Sequence, residues 1–255
     1  MTNVRLKPWV IITFSILCLM GVLYYSYEVV IWFLHIRENH SIQEKLEENI
    51  VVIKDKLDQD KKKEYIIDFS SLKEQNPDTV AYIQANNMNI DYIVVKGENN
   101  QYYLNHNFEK KWNVAGWIFG DYHNLFDGTD RNLIIYGHNT KDGSMFDSLK
   151  NVLTKEWYEN KDNHVLVLVT EKGTYYYQAF SSYSIVPEEY YIQTKFSSDE
   201  EFDSFVKTLK ARTIYDYGVE VDGTDKILTL SSCIGDGAKR VVLHAKLVDF
   251  FEKDF

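Results

Sequence analysis

The chain has 255 residues, 45% hydrophobic and 15% aromatic, enough apolar material for one sizeable core and too much for a disordered protein. Lys and Arg number 28 against 38 Asp and Glu, a net charge of −10. Nucleic-acid surfaces need clustered cations to neutralise phosphates, so this balance argues against DNA or RNA as a partner.

The first element in chain order is the uncharged run "PWVIITFSILCLMGVLYYSY", Pro8 to Tyr27. As a helix, about 20 such residues cross a hydrocarbon core of roughly 30 Å. Arg5 and Lys7 precede it and Glu28 follows, a bias that keeps the amino terminus cytoplasmic and exports the rest. A cleaved signal peptide is the alternative, but the run is long for one and no A-x-A-like site follows. Residues 1–7 are therefore expected as a cytoplasmic stub and 8–27 as a single-pass signal anchor. Setting aside Arg5 and Lys7 takes the 28 cations to 26 against 38 anions, so the extracellular part carries a net charge of −12. Cys18 lies inside the span, which leaves Cys233 as the only thiol outside it. A lone extracytoplasmic cysteine has no intramolecular partner; it is a buried small side chain, an intermolecular link or a reactive nucleophile.

From Ser41 to about Glu64 the stripe Ile42, Leu46, Ile50, Ile53 and Leu57 predicts a helix with Ser41 and Glu44 as a capping box, completing a stem over 28–64. The mixed cluster Asp58–Glu64 reads as a solvated face. "SSLKEQNPDTVAYIQANN" predicts one or two short helices broken at Asn76-Pro77. Strands are expected over 91–95, 117–119, 132–136, 164–170, 174–181, 226–230 and 241–248, with Glu171-Lys172-Gly173 as a hairpin turn. Helical turns are expected within 144–160, and a helix over Ser198–Lys210 with Ser198 and Glu201 at its start and Phe202, Phe205, Val206 and Leu209 buried. Many short strands with few helices indicate a mainly β domain with peripheral helices, closed or nearly closed into a barrel because closure removes unpaired edges. Three prolines and no Gly/Ser-rich linker favour one exported domain, 65–255.

Thiolate is the attacking form of cysteine, so a nucleophilic Cys233 needs a base and a cation nearby. Six of the seven histidines (His35, His40, His106, His123, His164 and His244) lie in stem, loop or strand contexts without special features. His138 directly follows the apolar strand "NLIIYG", a position from which a rigid scaffold projects a side chain into a cleft. Cys233 ends "KILTLSS", and the glycine-containing loop "IGDGAK" returns to Arg240 at the start of the next strand. A guanidinium stays charged and offers donors in a fork, suited to a carbonyl or an oxyanion.

"TLSSC" at Thr229–Cys233, "IIYGHN" at Ile134–Asn139 and "KRVVLHAKL" from Lys239 together resemble the sortases, cysteine transpeptidases of Gram-positive cell surfaces, and most closely class B. The resemblance continues through "DFSSLKEQNPDTVAYIQ", "NIDYIVV", "YYLNHNF", "GSMFDSL" and "YYIQTKF". It implies a closed barrel of about eight strands with N-terminal helices and a helix before the last strands. It implies Cys233 as nucleophile, His138 as general acid and base, and Arg240 as the group that holds substrate and oxyanion. Asn100, Leu104, Tyr191, Ile192 and Ser231 are the implied substrate-groove residues. No metal or cofactor is implied. The implied partners are surface proteins bearing a C-terminal sorting motif, cut after threonine, and an amine of peptidoglycan or its lipid-linked precursor. Two departures stand out: Ser232 replaces the second threonine of the TLxTC pattern, and "ANNMNIDY" lacks the usual glycine or proline. A hydrolytic thiol protease with the same residues and a catalytically silent surface-binding module are the alternatives. The chain ends "VDFFEKDF", without a sorting signal of its own, as expected of an anchoring enzyme.

Overall fold

The computed structural model describes residues 7–53, 64–234 and 238–253. Helix α1 runs unbroken from Pro8 to Glu47, so Ser41 and Glu44 lie inside a helix and cap nothing. Its apolar stretch has a mean hydropathy of 1.9 and buries nothing within the protein. Farther along, Ile36, Asn39, Ile42 and Leu46 form one stripe buried against the domain. Asn39 donates to the Gly116 carbonyl at 3.0 Å, and Asn113 donates to the His35 carbonyl at 2.9 Å.

The helix expected to reach Glu64 gives way after Glu47 to a hairpin, β1 (Ile50–Ile53) with β2 (Glu64–Ile67). Four consecutive β-branched residues, Ile50-Val51-Val52-Ile53, lose χ1 freedom in a helix and suit a strand, and β2 supplies the ladder. Most of the charge cluster Asp58–Glu64 lies outside the described residues. A second correction follows. Helix α2 (Phe69–Gln75) forms as expected, with the Asp68 carboxylate accepting from the Ser71 N–H. After Pro77, however, the chain enters strand β3 (Thr79–Ala85) instead of another helix. Ala81, Tyr82 and Ile83 are all buried, and β3 is paired on both edges; tertiary pairing overrides the helix preference of Ala and Gln.

The remaining strands are β4 (Ile90–Val95), β5 (Phe119–Gly120), β6 (Asn132–Gly137), β7 (Val165–Thr170), β8 (Gly173–Ile185), β9 (Ile227–Ile234) and β10 (Lys239–Glu252). Eight strands close into a barrel in the order β10-β8-β7-β3-β4-β5-β6-β9. The β4–β5 and β6–β9 pairs are parallel, and the other pairs are antiparallel. Thr170 pairs with Gly173, so Glu171 and Lys172 form the expected tight hairpin turn. The glycine-free turn between β3 and β4 is made by Asn87 at φ 54°, and asparagine is among the few non-glycine residues that tolerate the left-handed region. The Asn87 carboxamide is tied to Asn163 at 2.7 Å.

Two further helices complete the fold, a short α3 (Lys155–Glu159) and α4 (Asp199–Ala211). The Ser198 hydroxyl caps α4 by accepting from the Glu201 N–H. Phe202, Phe205, Val206 and Leu209 bury its inner face in a cluster with Phe180, Tyr183, Tyr191, Ile227 and Val242 on the barrel wall. The β8–α4 connection is thereby pinned beside the ends of β6 and β9, where the site forms.

Candidate active site

Parallel pairing of β6 with β9 sets Tyr136 opposite Ser231 and Gly137 opposite Ser232. The next step along the two strands is His138 on one and Cys233 on the other. Antiparallel pairing of β9 with β10 sets Arg240 opposite Cys233. β6, β9 and β10 thus lie side by side, and His138, Cys233 and Arg240 meet at one end of the barrel. The side chain of Cys233 lies outside the described structure; its place here is that of its backbone.

A cavity of about 340 Å³ opens at this end. His138, Arg240, Ser231, Tyr191, Ile192, Asn100 and Leu104 all line it, bringing together every expected site residue whose side chain is described. Sequence reasoning missed Tyr136, Phe119 and the acidic rim Glu188-Glu189, which line the same cavity. Tyr136 had a usable signal, since it sits two residues before His138 on a strand and period-two geometry gives both one face.

His138 Nε2 lies 2.6 Å from the carbonyl oxygen of Leu104. A carbonyl only accepts, so Nε2 carries hydrogen in either charge state, and Nδ1 is the nitrogen left to gain and lose a proton. The Gly116 backbone passes close to the Leu104 carbonyl. With φ +56°, a Cβ on Gly116 would fall 2.3 Å from the Tyr103 oxygen and 2.7 Å from the Leu104 oxygen. Gly116→Ala is expected to cost about 1–2 kcal/mol in left-handed backbone alone and to push away the carbonyl that orients His138. Thermal unfolding and turnover together check this: the melting temperature and kcat both fall.

His138 also borders a second cavity of about 610 Å³, walled by Tyr25, Glu28, Val29 and Trp32 of α1 and by Val114. Among the described residues no group of three or more His, Cys, Asp or Glu side chains is arranged to hold a metal ion.

The groove wall is stitched to the barrel by hydrogen bonds. The Tyr191 and Ser231 hydroxyls are 3.0 Å apart, and Asn132 donates to the carbonyls of Tyr191 and Gln193 at 3.2 and 2.9 Å. Behind them the Thr229 hydroxyl donates to Asn132 at 2.7 Å, leaving its oxygen to accept from His244 Nδ1 at 2.9 Å. Tyr190 donates to Tyr183 at 2.9 Å, whose hydroxyl then donates to His244 Nε2 at 2.9 Å. Every bond in this chain suits a neutral His244, and full burial pushes its pKa down to about 3. Burial also lowers that of His164. The unfolded chain takes up these protons near the ordinary histidine value of about 6.5, so stability is full above that value. It is expected to fall by up to about 1.4 kcal/mol per pH unit for His244 as pH drops from 6.5 towards 3. Denaturant unfolding at pH 7 and 5 checks it, with His244→Gln showing a flatter profile.

Ser232 is buried, and its hydroxyl finds no partner among the described residues. Its register partners are Gly137 on β6 and Val241 on β10, and it directly precedes the candidate nucleophile in the chain.

A barrel with a cysteine, an arginine and a histidine at one end is the architecture of a sortase, and the comparisons agree: the Sortase domain model matches residues 83–248, and the chain belongs to the sortase family of cysteine transpeptidases. Within it the chain is of class B. It is 29% identical over 247 residues to a Staphylococcus aureus sortase B, covering 96% of this chain and 98% of that one. A solved Bacillus anthracis sortase B superposes with a TM-score of 0.74 at 32% identity, over 85% of this chain and 99% of the other. A Staphylococcus aureus sortase B solved in a substrate complex gives a TM-score of 0.67 at 33% identity, over 71% and 84% of the two chains.

Proposed function

We propose that this sortase is a membrane-anchored transpeptidase that cuts a C-terminal sorting signal of surface proteins after threonine and joins the protein to a cell-wall amine. One observation carries the reading: Cys233 and Arg240 are register partners on β9 and β10, and His138 is the next residue after the paired end of β6. In this reading the Cys233 thiolate attacks the threonine carbonyl, and Arg240 holds the resulting oxyanion. The carbon–nitrogen bond breaks as His138 gives its proton to the departing amine, leaving a thioester. The incoming amine then attacks the thioester, passes a proton back to His138 and releases the thiolate. One amide is exchanged for another, without oxidant or reductant.

Asn100, Leu104, Tyr191, Ile192 and Ser231 hold the peptide. The second cavity that His138 borders supports a separate approach for the amine. The uncharged run Pro8–Tyr27, with Arg5 and Lys7 just before it and Glu28 just after, supports a single-pass anchor, amino terminus in the cytoplasm and residues 65–255 outside. The test is product analysis of a threonine-containing sorting-peptide library with and without an amine acceptor. Amine-dependent transpeptidation product is expected; hydrolysis alone in the presence of a suitable amine overturns the reading in favour of a thiol protease.

A further inference from the structure

Asp121 follows β5, outside every motif that led to the site. Its side chain is only 3% exposed, yet it faces the cavity's polar wall from behind. One carboxylate oxygen accepts from the Asn100 carboxamide nitrogen at 2.6 Å and from the Tyr136 hydroxyl at 2.9 Å. The other accepts from the backbone N–H and from Nδ1 of His123, both at 2.9 Å. Its own N–H donates to the Ile134 carbonyl on β6, so the carboxylate is held by backbone as well.

A carboxylate oxygen only accepts, which dictates the orientation of what meets it. The Asn100 nitrogen must turn inward, and the Asn100 oxygen is correspondingly held by the Tyr122 N–H at 3.0 Å. A flipped carboxamide would set oxygen against carboxylate and NH₂ against N–H. With one donor and one acceptor engaged, Asn100 keeps one N–H and one lone pair for the cavity it lines. A donor and an acceptor side by side match the carbonyl and N–H of an extended peptide backbone. Tyr136 is fixed likewise: its hydroxyl donates to Asp121, while the Arg240 charge acts on the same phenol. The carboxylate thus also sets a buried negative charge behind the wall that Arg240 shares.

We propose that Asp121 is a positioning residue of the peptide groove: through its buried carboxylate it fixes the Asn100 carboxamide and the Tyr136 phenol in the orientation in which they meet the substrate's main chain. The proposal rests on the peptide-binding reading of the cavity but not on the identity of the nucleophile. Because main-chain contacts ignore side chains, Asp121 governs affinity for all peptides of the library and not the order of preference among them. In Asp121→Asn an NH₂ group faces the donors of Asn100 or His123, and the Asn100 carboxamide turns.

The full chain in detergent, assayed with a fluorogenic peptide library in which only the scissile-site threonine is held constant, tests this. Asp121→Asn is expected to raise KM on the order of 10-fold to 100-fold, to leave kcat within about threefold and to keep the ranking of peptides. In an Asn100→Ala/Tyr136→Phe background the same substitution is expected to change KM by less than about twofold, since nothing remains for it to position. An unchanged KM, a kcat loss matching the KM change, or an undiminished effect in that background overturns the proposal and leaves Asp121 a structural residue. Fluorescence anisotropy of the same peptides on the Cys233→Ala chain repeats the comparison without turnover. Cleavage that persists in Cys233→Ala would overturn the thiol mechanism while leaving the Asp121 result intact.

Discussion

Cys233→Ala is expected to remove peptide cleavage and amine transfer together. Removing the nucleophile from a well-studied serine protease lowers kcat by on the order of 10⁶, and a sortase without its thiol has no second route to an acyl intermediate. The measurement is release of a fluorogenic sorting peptide by the full chain and its variant, with mass detection of the amine adduct. In a Cys18→Ala background, which leaves Cys233 as the only cysteine, a thiol reagent reads Cys233 alone, and its labelling is lost in the variant. Cleavage that survives the substitution would favour a silent scaffold whose activity comes from a contaminant, and would remove Cys233 from the mechanism.

Arg240 carries the second large effect. Arg240→Ala is expected to lower kcat/KM by about 10²–10³, the usual consequence of deleting a donor to a developing oxyanion. Arg240→Lys retains the charge but loses the planar fork and is expected to recover only part of that. The informative control is the alkylation rate of Cys233 by a small neutral reagent. If Arg240 acts on substrate, that rate stays within a few-fold of the parent chain while peptide turnover collapses. If both fall in parallel, the guanidinium acts by stabilising the thiolate, and the oxyanion role is wrong. The register pairing of Arg240 with Cys233 makes either effect local, whereas Gly116→Ala and the low-pH loss of stability act through the scaffold.

Local patterns carried well wherever one face of an element is buried and the other wet. Helix α4 with its serine cap, the Glu171-Lys172 hairpin and the strand ending at Gly137 follow from spacing and turn chemistry, and the structure reproduces each to within a few residues. Legibility failed where both faces are covered or where the partner is distant. Strand β3 lacks a clean polar alternation because its consecutive residues Ala81, Tyr82 and Ile83 are buried on opposite faces. The run Ile50–Ile53 shows helical spacing as convincingly as strand composition until β2 comes alongside it.

The site divides in the same way. The resemblance pointed to three motif residues and five groove residues because their types and surroundings are carried in short contiguous strings, and those with described side chains line one cavity. Asp121 was not among them. Its contacts with Asn100 and Tyr136 span 21 and 15 residues, and an aspartate in a polar loop has no sequence feature that marks it as 3% exposed.

By itself the sequence determined an acidic, mainly β domain behind an apolar helix, and it pointed to Cys233, His138 and Arg240 as candidates, because hydropathy, charge and short motifs are properties of neighbouring residues. Only the tertiary structure decided that α1 continues into the domain's flank, that β9 carries Cys233 between His138's strand and Arg240's, and that the buried Asp121 carboxylate meets Asn100 and Tyr136. Those facts depend on which strands pair and in what register, and barrel closure sets both by joining segments a hundred residues apart.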